Sequence, residues 1–174
     1  LINAMREHQK YFAVVDSSGK LMPCFIAVNN TVADDMTVVA KGHERVLRAR
    51  LADAQFFYQG DLDVTNDERL EMLKKVLFQA DLGTVYEKVE RVAAIGEFIC
   101  SAVEPVSAQD ADLRQQVARA ARLSKTDLVS QVVGEFPKLQ GIMGRVYADA
   151  AGESSQVAAA IEEHYRPLYS GAPL

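Results

Sequence analysis

Cysteine is scarce in this chain. Cys24 and Cys100 are the whole complement, too few for a disulfide framework and without the close spacing of metal-binding thiolates, so two reduced thiols are expected. No apolar run approaches the roughly 20 residues of a membrane-spanning helix, and no secretory signal pattern is visible. A cytoplasmic protein with no membrane partner is the expectation. Positive charge is also short: 19 Lys and Arg against 24 Asp and Glu leave a formal net charge of −5. Nucleic-acid binders usually carry excess Lys and Arg, so any RNA contact has to rest on a local patch. The histidines are His8, His43 and His164, and no two share a metal-motif spacing. GxSxG and GxxxxGK[ST] are absent, which removes the local signatures of a nucleophile elbow and of a phosphate-cradling loop.

What is present is a core. The 174 residues are 49% hydrophobic and 25% charged, enough apolar material for one domain or a little more, and too balanced for disorder. Residues 10–30 read as a β-hairpin, with β-branched and aromatic runs on either side of Ser17-Ser18-Gly19. From about residue 43 the period becomes helical. Val46, Leu47, Leu51, Ala54 and Phe57 fall on one side. Thr65 to Glu68 spells a capping box, followed by a stripe of Leu70, Leu73, Leu77 and Ala80, a Glu71–Lys75 pair, and Gly83 as the stop. Thr84 to Glu87 opens the next helix, with Val85, Val89, Val92 and Ile99 inward. Ser107 to Asp110 and Ser124 to Asp127 repeat the capping pattern. The fold class expected is α+β, mainly α, with a β-containing region over 1–40, whose hairpin packs on the helices or on sheet strands cut away, and a helical domain over 41–174. A first residue of Leu and an end at Ala-Pro-Leu read as a piece cut from a longer protein.

Two basic clusters stand out. Lys41, Arg45, Arg48 and Arg50 fall within ten residues, and guanidinium forks match phosphate oxygens. Arg114, Arg119, Arg122 and Lys125 form the second. Glu44 and Asp53 flank the first cluster and Asp110, Asp112 and Asp127 the second, so a solvated, charge-balanced face competes with an RNA contact. Tyr11, Phe12 and Phe25 have the rings for base stacking, but a hairpin must cover a core, and they read as core residues together with Phe56, Phe57 and Phe136. The GIMG string at Gly141 to Gly144 is too short for a nucleotide loop and reads as close helix packing or a kink.

Longer strings carry a resemblance. MREHQKYF, GKLMPCFIAVNN, RVLRARLADAQFF, VLFQADLGTVYEKVERV, RLSKTDLVSQVVGEF, LQGIMGRVYA and EEHYRPLYSG, in this order, resemble the beta subunit of bacterial heterotetrameric glycyl-tRNA synthetase. The resemblance implies an α2β2 assembly. Its alpha subunit activates glycine with ATP and magnesium, and its beta subunit helps bind the glycine-specific tRNA. It assigns no catalytic residue and no cofactor to this stretch. The anticodon-binding domain of that family is not in it. The runs KVERVAAIGEFI and AARLSKTDL further resemble the helical HD phosphohydrolases in degenerate form. Lys88 stands in the first His slot, and Thr126-Asp127 stands where a His-Asp pair is usual. An ammonium cannot ligate a metal unless deprotonated, and threonine is a poor ligand. Asp127 is accounted for by its capping box. His43 stands where the synthetase family usually has Asn. The function implied is a noncatalytic, tRNA-associating module, with Lys41, Arg45, Arg48, Arg50, Arg119 and Arg122 as contact candidates. Alternatives are an HD-type metal-dependent phosphohydrolase and a protein scaffold that touches no RNA.

Overall fold

The computed structural model describes residues 5–6, 9–102 and 111–172. Two compact units arise, Leu1–Tyr58 and Gln59–Leu174. The expected hairpin forms from β1 (Tyr11–Val15) and β2 (Leu21–Ala27), antiparallel with Tyr11 opposite Ala27 and Ala13 opposite Phe25. Its turn is held by the Asp16 carboxylate, which accepts the N–H groups of Ser18 at 2.9 Å and Lys20 at 3.0 Å, while Gly19 supplies φ +82°. Those bonds, with the Ser18 hydroxyl first among them, hold the Asp16 pKa below the usual carboxylate value.

Helix α1 (Met36–Leu62) starts earlier than the periodicity suggests. Thr37, Val38 and Val39 look strand-like, but the Asp35 carboxylate accepts the Thr37 N–H at 2.7 Å and holds the first turn. The front of α1 meets the hairpin: Tyr11 is buried, its hydroxyl is 3.0 Å from His43 Nδ1, and its ring lies 5.1 Å from that of Phe25. His43 Nε2 is 2.8 Å from Asn29 Oδ1, so the imidazole ties helix to hairpin. The division between the compact units falls after Tyr58, within the residues of α1. Phe56, read as a core residue, is 72% exposed.

In the second unit, the Thr65 box forms as spelled: Thr65 accepts the Glu68 N–H at 3.2 Å, and Glu68 accepts the Thr65 N–H at 2.8 Å. The helix it opens is short. α2 (Asn66–Met72) passes into a 3-10 turn at Leu73–Lys75, and the chain then forms a small hairpin of β3 (Leu77–Gln79) and β4 (Gly83–Thr84). Gly83, with φ +82°, serves this hairpin rather than a helix stop. The Leu70–Ala80 stripe is thus corrected: Leu73 is fully buried, Leu77 is 69% exposed, and Glu71 pairs with Lys74 at 2.6 Å instead of Lys75.

The Thr84 to Glu87 box opens α3 (Val85–Ala102), with Thr84 N–H donating to Glu87 at 2.6 Å. Val85, Val89, Ala93 and Cys100 face inward, while Val92 and Ile99, expected inward, are exposed. α4 (Ala111–Leu123) packs along α3. Then follow a 3-10 turn at Thr126–Val129, α5 (Gln131–Glu135), α6 (Ile142–Ala150) and α7 (Ser155–Glu163). One cluster joins Leu123, Ala148, Val157, Ala158 and Ile161; another joins Leu73, Val85 and Val89, with Leu128 and Val129 against it. The Ser107 to Asp110 box and His8 lie outside the described residues.

Candidate functional site

The turn at Thr126–Val129 carries the centre of the second unit. Its Asp127 is 1% exposed, and Oδ2 accepts the N–H of Gly141 at 2.6 Å and of Gly144 at 3.1 Å. These are the cap and third positions of α6, so Asp127 caps that helix from a distance. GIMG is therefore a carboxylate cradle. A Cβ on Gly144 would lie 2.6 Å from Ile161 Cγ2, and one on Gly141 would lie 2.6 Å from the Tyr165 ring. The proposed Ser124 to Asp127 box is overturned: the Ser124 hydroxyl donates to the Ala121 carbonyl at 2.8 Å, and Ser130 caps α5 instead, accepting the Val133 N–H at 3.2 Å. Asp127 Oδ1 is buried with no hydrogen-bond partner. Burial raises the Asp127 pKa, against the glycine N–H groups and Lys125.

Beside Asp127 lie cations. Lys125 Nζ sits 3.8 Å from the Tyr165 ring centroid, and Lys88 Nζ sits 4.0 Å from that of Phe78. Burial pushes the Lys125 ammonium down to about 8, the Lys88 charge adds to this, and Asp127 opposes it. Burial, with Lys125 and Lys88, also depresses His164, whose Nδ1–H donates to the Ile161 carbonyl at 2.7 Å. Burial and the Asp127 charge raise the Tyr165 phenol to about 12. Of the residues that the resemblance to HD phosphohydrolases singles out, Lys88 and Asp127 both act electrostatically on Lys125. Thr126 is buried, with its hydroxyl donating to the Leu123 carbonyl at 2.9 Å. This donor set does not fit a divalent cation. Two ammoniums repel one, the threonine oxygen is used, and one Asp127 oxygen is committed to two N–H groups. Among the described residues no three His, Cys, Asp or Glu side chains gather for a metal.

Asp61, at the end of α1, is the buried carboxylate with no local sequence signal. Its oxygens accept the N–H of Gln131 at 2.8 Å, the N–H of Val132 at 3.0 Å and the Tyr147 hydroxyl at 2.6 Å. Arg69, 2% exposed, donates to the Asp61 backbone carbonyl and stacks 4.3 Å from the Tyr147 ring centroid. Burial and the Asp61 bond push the Tyr147 phenol well above its usual range. This node closes the start of α5.

The basic candidates separate. Arg119 is spent on carboxylates, with 2.6 Å to Glu153 and 2.7 Å to Asp67, which raises its pKa further. Arg122 lies 3.6 Å from Glu90. Arg50 is half-buried and engaged. Lys41, Arg45 and Arg48 are exposed on α1. Because α1 starts at Met36, Lys41 lies within the helix and shares a face with Arg45 and Arg48.

A family model for the glycyl-tRNA synthetase beta subunit matches residues 1–174. The chain is 63% identical over its whole length to the glycine–tRNA ligase beta subunit of Desulforapulum autotrophicum, covering 25% of that protein. It is 54% identical to the same subunit of Desulfatibacillum aliphaticivorans and 52% identical to that of Geobacter sulfurreducens, covering all of this chain and 24% of each relative. The chain spans about a quarter of the length of these relatives. With the strings of its sequence and the extent of these matches in agreement, the chain belongs to the glycyl-tRNA synthetase beta subunit family.

Proposed function

We propose that this segment serves a glycine–tRNA ligase as a tRNA-associating and architectural part of the beta subunit. It contributes no reacting group, while ATP- and magnesium-dependent activation of glycine belongs to the alpha subunit of a cytoplasmic α2β2 enzyme. The observation that carries this reading is the stripe of Lys41, Arg45 and Arg48. All three are exposed, on one face of α1, and none has an ion-pair partner among the described residues. In a protein of net charge −5, such a stripe is where a phosphate backbone is attracted, and the attraction is screened over about 8 Å at physiological salt. The test is tRNA affinity of the intact assembly carrying Arg45→Glu and Arg48→Glu. Affinity is expected to fall on the order of ten-fold at low salt, with a shallower salt dependence. An unchanged affinity and slope would remove the stripe from the RNA contact.

A scaffold role without RNA has its own support. Val92, Ile95 and Ile99 share one face of α3 and are 41%, 58% and 52% exposed. An apolar helix face of this kind suits contact with protein. A footprint of bound tRNA over α1 would decide for the first reading.

A further inference from the structure

Phe56 and Phe98 are the two most exposed phenylalanines among the described residues, at 72% and 70%. Their neighbours differ. Phe98 lies on α3 three residues from Ile95, itself 58% exposed, so its surroundings are apolar and suit a protein contact. Phe56 lies on α1, where the exposed residues that follow back along its face are Ala52, Arg48, Arg45 and Lys41. Steps of four, four, three and four residues keep all five within about 80° of arc on a 3.6-residue helix. Arg48 and Phe56 are separated by about 12 Å of helix axis, and on this line only the small Ala52 stands between them. Glu44 and Asp53, both exposed, lie at the two sides of the line, so the cationic strip is narrow. A single exposed apolar side chain needs no explanation; an exposed ring in register with three cations does. The ring is also braced: the half-buried Phe57 lies 5.9 Å away between centroids, with the two planes inclined by 64°.

From this alignment we infer that Phe56 is a stacking platform for an unpaired base of an RNA whose backbone lies along Lys41, Arg45 and Arg48. The inference rests on the reading of that stripe as an RNA contact, and it adds a means of telling one RNA from another. Cations attract the phosphates of paired and unpaired strands alike. A ring is different, because a base reaches it only after leaving its own stack. A single-stranded segment offers phosphates to the cations and a base to the ring, whereas a duplex offers phosphates alone. Every base has a π-face, so the selection is for unpaired RNA rather than for a sequence. The ring and the three cations all lie in the first unit, so the site is complete within it.

The test is the affinity of the intact assembly for tRNA and for a fully paired RNA duplex of similar length, each over a salt series. Phe56→Ala should weaken tRNA binding about ten-fold, with the salt slope and the duplex affinity unchanged. Phe56→Trp keeps an aromatic face and should retain the parent affinity. Arg45→Glu with Arg48→Glu should weaken both RNAs and flatten both slopes. If Phe56→Ala leaves tRNA affinity at the parent value while the arginine pair lowers it, the platform is overturned and the stripe stands. If neither change alters it, stripe and platform fall together. Equal losses for tRNA and duplex on Phe56→Ala would also overturn the inference, because a paired strand has no base to offer. Sedimentation provides a separate check: dissociation of the assembly by Phe56→Ala would make the ring a protein contact and overturn it.

Discussion

Asp61 and Asp127 are both buried carboxylates, and both cap a helix whose sequence does not contain them. The capping ends there. Asp61 is closed: two N–H groups and a phenol reach its two oxygens, and Arg69 packs alongside. Asp127 is half-closed: one oxygen takes two glycine N–H groups and the other takes nothing. A buried acceptor left unmatched costs free energy, so the Asp127 node carries a cost that the Asp61 node does not. The comparison separates a polar node with both carboxylate oxygens used from one with an acceptor to spare.

The largest effect should come from opening the closed node. Asp61→Ala leaves two helix N–H groups and a buried phenol without their acceptor and removes the carboxylate charge near the buried Arg69, and urea unfolding should show a loss of about 3–5 kcal/mol. A loss below about 1 kcal/mol would mean that water replaces the carboxylate and that the two nodes are alike. Next is the cradle. Gly144→Ala pushes a methyl to 2.6 Å from Ile161 Cγ2 and 3.2 Å from Asp127 Oδ2, so about 1–3 kcal/mol should be lost in the same measurement. The mildest change is Asp127→Asn. Its amide oxygen still accepts both glycine N–H groups and the buried charge is gone, so stability should stay within about 1 kcal/mol of the parent. A loss as large as that of Asp61→Ala would erase the distinction.

A pH series sharpens the same contrast. Lys125 is depressed from 10.5 to about 8 in the folded chain, so between those values the unfolded chain binds more protons at this site. Its contribution to stability therefore rises with pH through that window and is unfavourable below it. Thermal melts from pH 7.5 to 10 should show this upward component, and Lys125→Met should remove it.

The legible parts of the fold were those settled within a few residues. Thr65 with Glu68 and Thr84 with Glu87 close their boxes across three positions, and the Ser17-Ser18-Gly19 turn is stitched by Asp16 next door. Ser124 with Asp127 has the same spelling and fails, because the carboxylate finds better donors 14 and 17 residues away. Likewise Leu77 and Ala80 continue a helical stripe on paper, yet the chain leaves the helix after Met72 and pairs Leu77 with Thr84. Asp61 carried no readable sign, since the donors it serves lie 70 and 71 residues on. The electrostatic influence of Lys88 and Asp127 on Lys125 had no sign in the sequence, because it arises only in the packed turn.

The reach of Asp61 has a consequence for synthesis on the ribosome. α5 has five residues, far short of what persists alone in water, and its opening turn borrows an acceptor made much earlier in translation. The Asp61 carboxylate must wait for its donors until the stretch through Tyr147 has emerged. Closing so wide a loop is the slow kind of step. Any truncated version meant to yield the helical unit by itself must begin upstream of Asp61, because a start at Asp63 would discard the anchor.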